Sequence, residues 1–339
     1  MANVSHAFSP KEWTCLVISD ATDAGSTGLH ATNMYQLDVD SVGYPSLNVT
    51  QALDVRSGIG ATLKDEDFFQ DRTLRVVELS LSGTLHDDVG HRLLIANICG
   101  AAQADDTNQT IASGHKIVSH RTAASAGLTN NAASLTVVLQ PSDVTNQRGL
   151  EFSGCVVTNF TISADTGTEG GRYKWSATLQ TGRIPDLDSQ VAVNVAGSNN
   201  YANTTGTTLS AASGVKVYGV DSVLSNFTST IDYPAVFSGI TSGGYEVVSR
   251  AAECSVTHDC QIKYDGNTKD MISNFDGQTA AKAEQSFIII NDGKFGVDTA
   301  NAVLTNVALS EGDIMMLDVS MKAVDDGTDE LLIIDLSDA

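Results

Sequence analysis

The chain states one pattern twice. The run Val156-Val157-Thr158-Asn159-Phe160-Thr161-Ile162-Ser163 is echoed by Val303-Leu304-Thr305-Asn306-Val307-Ala308-Leu309-Ser310. Each run leads into a turn of glycines and acids, residues 166–171 and 311–313, and then into a second alternating run, 173–179 and 316–322. Period-2 patterning on both sides of a turn predicts a β-hairpin at the end of each copy. An upstream echo pairs 78–82 with 253–257, each followed by a polar turn and a short helical segment closing on glycine, 91–100 and 268–277. The order strand, helix, strand, hairpin therefore recurs. Two long copies predict sibling domains; many short ones would have predicted a solenoid.

A chain of 339 residues can bury two cores. The division reads as an N-terminal arm over 1–12, a first domain over 13–185, a linker over 186–214 and a second domain over 215–339. The linker is rich in Asn, Thr, Ser, Gly and Ala. Inside the first domain a polar excursion over about 44–70 mixes both charges in Asp54, Arg56, Lys64, Asp65, Glu66 and Asp67. Long loops of this kind commonly form interfaces.

Frequent Thr, Ser, Asn and Val with 29 glycines and 5 prolines favour strands and turns, so the fold is expected to be mainly β, with one short α-helix per domain. The formal net charge of −22 leaves the chain short of the cations that hold duplex DNA or RNA by counterion release. Residues 1–13 lack a basic start followed by an apolar stretch, so no secretory signal is expected. No apolar run approaches the length of a membrane-spanning helix. Cys15, Cys99, Cys155, Cys254 and Cys260 lack metal-ligand spacing and read as reduced, mostly buried thiols.

No constellation for catalysis or cofactor binding stands out. His86 and His91 flank Asp87 and Asp88, and His115 and His120 lie on a nearby predicted strand, but spacings of five suit neither a helix face nor one side of a strand. Helix-cap and loop roles account for them better. The acidic stretches 38–41 and 325–330 do not match a calcium loop and read as turns. Cys155 on a strand lacks an evident His partner, and Tyr173 and Trp175 on an alternating strand read as core rather than as a base-stacking platform. The sequence is not expected to be an enzyme or to hold a metal or cofactor.

The run 150–163, an acidic glycine turn and the run 172–179 together resemble the terminal hairpin of the major tail tube proteins of long-tailed bacteriophages. The strand and short helix over 79–99, preceded by the loop over 49–72, resemble the earlier part of the same unit, and the likeness returns over 215–339. The resemblance implies tail-tube-type β-sandwich or half-barrel domains whose sheets join around a ring and line a channel. Relatives that fuse two copies place three chains in a pseudo-sixfold ring, and the echo fits that duplicated form. It further implies a virion protein of the tail, made in the bacterial cytoplasm. Stacked homotrimeric rings, with tape measure and terminator proteins as further partners, would carry DNA through without binding it specifically during genome ejection.

On this reading the charged excursion of Asp54, Arg56, Lys64, Asp65, Glu66 and Asp67 contacts the next ring. The polar faces of the hairpins line the lumen, with Thr158, Thr161 and Ser163 in the first copy and Thr305, Ser310, Asp318 and Lys322 in the second. An acidic lumen would repel phosphate. The alternative is a tandem β-sandwich adhesin or virion-surface binding protein that uses the 44–70 excursion; such a protein would carry aromatic clusters on its loops, which are few here.

Overall fold

A computed structural model describes residues 13–19, 34–44, 49–53, 68–72, 76–86, 88–99, 115–117, 134–141, 148–183, 185–189, 208–209, 212, 214–217, 218–240, 246–250, 253–277, 285–291, 295–325 and 331–335. The first part of the chain supplies β1 (Trp13–Ser19), β2 (Tyr35–Leu37), β3 (Ser41–Gly43), β4 (Val49–Leu53), β5 (Phe68–Arg72), β6 (Val77–Thr84), α1 (Val89–Cys99), β7 (His115–Ile117), β8 (Leu135–Pro141), β9 (Gly149–Asp165), β10 (Lys174–Thr181) and β11 (Asp186–Ser189). The second supplies β12 (Gly214–Val217), β13 (Val220–Asp221), β14 (Leu224–Asp232), β15 (Ala235–Ile240), β16 (Glu246–Arg250), β17 (Ser255–Lys263), α2 (Asp270–Gly277), β18 (Gln285–Asn291), β19 (Phe295–Ser310), β20 (Met316–Ala323) and β21 (Leu332–Asp335). The protein is mainly β, with two short helices among the described residues. Neither helix is long and apolar enough to cross a membrane.

Both halves pair their strands in the same order. The antiparallel series β1–β8–β9–β10–β6–β3 is matched by β12–β18–β19–β20–β17–β14. Each helix falls between the same two members of its series. Even the irregularities coincide. β9 against β8 and β10, and β19 against β18 and β20, each shift register twice, and the second shift skips Thr158 in one and Thr305 in the other. The skipped residue is a β-bulge, an extra residue that bends the strand and reverses which side its neighbours face.

One hydrogen-bonded sheet of 17 strands runs through both halves. The joint is β14 against the end of β9, from Asn226 opposite Asp165 to Asp232 opposite Asn159. β7 adds to the far side by pairing with β21. The 44–70 excursion is not loop throughout: β4 and β5 at its ends form an antiparallel ribbon.

Alternation explains the strands. In β6, Val77, Leu79 and Leu81 turn inward and Glu78 and Ser80 outward; in β10, Trp175, Ala177 and Leu179 turn inward. The inward residues of both halves merge into one core cluster. Helix α1 starts on Asp88, whose carboxylate accepts from the His91 backbone N–H at 2.9 Å and caps the first turn. It is tethered to β9 by Asn97, whose Oδ1 accepts from the buried Val157 N–H at 2.8 Å.

Candidate functional site

The same alternation leaves the opposite side of the shared sheet polar across seven strands. Register lines its side chains into rows. Ser82, Ser176, Thr161, Thr230, Thr257 and Lys322 stand opposite one another in succession from β6 to β20. The next row runs from Lys174 through Ser163, Thr228, Asp259 and Ser320 to Asn306. Hydroxyls meet across the joint between the halves, with Thr161 Oγ1 and Thr230 Oγ1 at 3.3 Å. Short hydroxyl side chains opposite one another suit a flat, half-exposed sheet surface.

Charge on this face is sparse and tilted to the acidic side. Glu78, Asp165, Asp232, Asp259 and Asp318 stand on it with Lys174, Lys263 and Lys322. Lys174 is held between two carboxylates, 3.3 Å from Asp40 and 3.1 Å from Glu169. Partial burial alone would lower its pKa; the bonds to Glu169 and Asp40 outweigh that and raise it. Asp318 accepts from Gln261 Nε2 at 2.9 Å, and Glu78 from Gln180 Nε2 at 2.6 Å.

Thr161, Ser163, Ser310, Asp318 and Lys322, read from sequence as one face, do lie on this side of the sheet. Thr158 does not. It is the bulge residue, buried, with Oγ1 donating to the Thr178 carbonyl at 3.2 Å. Thr305 occupies the matching bulge and is exposed. Sequence reasoning missed Ser176, Thr178, Thr228 and Thr230, although each pair is spaced by two within an alternating run, which is the signal for one strand face. Asp54, Arg56, Lys64, Asp65, Glu66 and Asp67 lie outside the described residues.

The histidines make pairs that fix loops and caps. His86 Nε2 lies 2.7 Å from Asp38, and His91 Nδ1 lies 2.8 Å from Asp88 while its ring meets Trp175 edge-on at 5.1 Å. Among the described residues no three His, Cys, Asp or Glu side chains converge as a metal site would require. Cys155 is buried, its thiol donating to the Phe152 carbonyl at 3.3 Å, and Tyr173 and Trp175 are core residues.

No family model matches the sequence. No curated protein matches it either. Among solved structures the chain is similar to a chain in the tail of an empty GTA particle, refined helically with C6 symmetry. Identity is 13%, over 40% of this chain and 88% of that one, with a TM-score of 0.23, too loose a superposition to carry an argument.

Proposed function

We propose that this chain is a structural protein of a virion tail, whose copies form rings that stack into a tube for DNA. The observation that carries the reading is the hydroxyl-rich, net-acidic face running unbroken across both halves. A wall of Ser, Thr and Asp side chains offers sliding phosphates no array of cations, and Lys174 is already engaged by two carboxylates. Within the residues that resemble tail tube hairpins, 150–163 and 172–179, Thr161, Ser163, Lys174 and Ser176 stand on that face.

On this reading the segments 13–185 and 215–339 are sibling domains joined by 186–214, and three chains make a pseudo-sixfold ring. The shared order of strand pairing supports that division. The charged excursion touches the next ring, tape measure and terminator proteins meet the tube ends, and the chain works without catalysis or cofactor. Negative-stain microscopy of the purified protein tests the reading: stacked rings with a central channel support it, and dispersed single particles at every salt and protein concentration overturn it.

A further inference from the structure

We infer that a second copy of this chain docks on the outer edge of β19, presenting its own residues 41–44 as the next strand. The inference deepens the tube reading by naming the surfaces that join, and it rests on that reading only in requiring that copies associate.

The structure contains the joint once already. In the first half the end of β9 pairs on one side with β10 and on the other with β14, the first inner strand of the second half. The matched order of pairing makes β19 the counterpart of β9, and β3 the counterpart of β14. Yet beyond Ala302, β19 pairs only with β20, and β3 pairs only with β6, among the described residues. Among the described residues one protomer therefore ends in an open β19 edge at one side and an open β3 edge at the other. Bare edges of this kind invite another strand. The two edges are complementary by descent of position: what β14 does to β9 within the chain, β3 of a second copy can do to β19.

Burial marks the same surface. Ile162 of β9 is 1% exposed beneath β14, whereas its counterpart Leu309 is 50% exposed. Tyr173, after the first turn, is fully buried against Phe227 of β14 with ring centroids 5.9 Å apart. Its counterpart Met315 is 42% exposed, and Ile314 beside it is exposed as well. Carrying over the internal register, in which Ser229 faces Ile162 and Thr228 faces Ser163, sets Tyr44 of the second copy opposite Leu309 and Gly43 opposite Ser310. Tyr44 is itself 49% exposed. An aromatic–aliphatic pair would thus close over two side chains that a soluble monomer leaves in water. The counterpart of Phe227 is Val42, placed to cover Met315. The contact is head-to-tail, using different surfaces on its two sides, so it generates a closed ring or an open filament and not a two-fold dimer.

The test uses paired cysteines. All five native cysteines are buried, so introduced thiols stand alone on the surface. Tyr44→Cys and Leu309→Cys are made as separate full-length variants, mixed, and treated with a short bis-maleimide. The expected result is a two-chain adduct in the mixture, formed at least tenfold more than in either variant alone, and a ladder of higher adducts from the double variant. Absence of the mixed adduct overturns the inference, whether the chains sediment as monomers or as larger species. Leu309→Asp supplies the second measurement: unchanged circular dichroism with association weakened tenfold or more supports the joint, and undiminished association overturns it. Adducts from rings that never stack leave the joint standing and remove the tube. Tubes without adducts do the reverse.

Discussion

His258 gives the sharpest energetic prediction. It projects inward from β17 between Val256 and Cys260 and is wholly buried. Its Nδ1 lies 2.9 Å from Ser229 Oγ on β14 and its Nε2 lies 2.9 Å from Thr299 Oγ1 on β19. The ring stacks on Phe287, centroids 4.2 Å apart and planes 13° from parallel. A neutral imidazole donates at one nitrogen and accepts at the other, and either hydroxyl adapts to it. Among the described residues no carboxylate bonds to the ring, so a proton would bring an uncompensated buried charge. Burial accordingly lowers its pKa to about 3.

Linkage fixes the sign. The folded pKa lies below the unfolded value of about 6.5, so the unfolded chain binds the extra proton as pH falls. The contribution of His258 is complete above pH about 6.5 and is lost progressively toward pH about 3. At about 1.4 kcal/mol per pH unit below the unfolded pKa, going from pH ~7.5 to ~4.5 removes roughly 3 kcal/mol. His258→Gln keeps a donor and an acceptor but cannot titrate. Urea unfolding of both proteins at the two pH values measures the effect. The natural chain is expected to lose roughly 3 kcal/mol more than the variant over that interval. Equal losses in the two proteins would refute the assignment of a neutral, proton-excluding site.

Other expectations follow from the joint between the halves and from the thiols. Tyr173→Phe removes the hydroxyl that donates to Asn291 Oδ1 at 2.8 Å and leaves a buried amide oxygen without that partner. It should cost about 1–3 kcal/mol in urea unfolding, and a loss below about 0.5 kcal/mol would count against the bond. The native protein should show no rapidly reacting thiol toward a colorimetric disulfide reagent near neutral pH, and all five after denaturation, since each cysteine is buried and burial raises Cys15 and Cys260 to about 12. Under the proposed function, deleting residues 55–68 should leave rings that fail to stack, as seen by negative-stain microscopy; long tubes from that variant would assign the excursion another role.

The sequence exposed the class of fold through alternation alone: the buried Leu79, Leu81, Trp175, Ala177 and Leu179 sit at the inward positions of period-2 runs. The repeat was visible because β9 and β19 keep the same spacing through both bulges, so 156–163 and 303–310 align without a gap. The return strands were harder. The turn after β19 is shorter than the turn after β9, and reading 173–179 against 316–322 is off by one: pairing sets Lys174, opposite Ser163, in the place of Met316, opposite Ser310. A one-residue slip exchanges the faces of a strand. The bulge at Thr158 was illegible for a related reason, since an extra residue leaves no mark on composition and shows only when hydrogen bonds are drawn. The joint of β14 with β9 could not be read either, because strand order is set by contacts between segments about seventy residues apart and not by local pattern.

The bulges also distinguish the covered edge from the bare one. In the first half the Thr158 carbonyl accepts from the Tyr233 N–H at 2.8 Å, a bond that crosses from one half to the other. Thr305 stands at the same point of β19, and among the described residues no bond like that from Tyr233 reaches its carbonyl from beyond the β19–β20 ladder. Among the described residues no strand covers the outward backbone groups of 306–310, which in a dissociated protomer turn to water. Amide exchange reads the difference directly. In the dissociated chain the outward N–H groups of β9 over 159–164, already covered by β14, should exchange slowly, while those of β19 over 306–310 that point away from β20 should exchange fast. Association through this edge should slow the second set roughly tenfold or more and leave the first unchanged. If association protects other segments and leaves β19 as fast as before, copies join through a different surface.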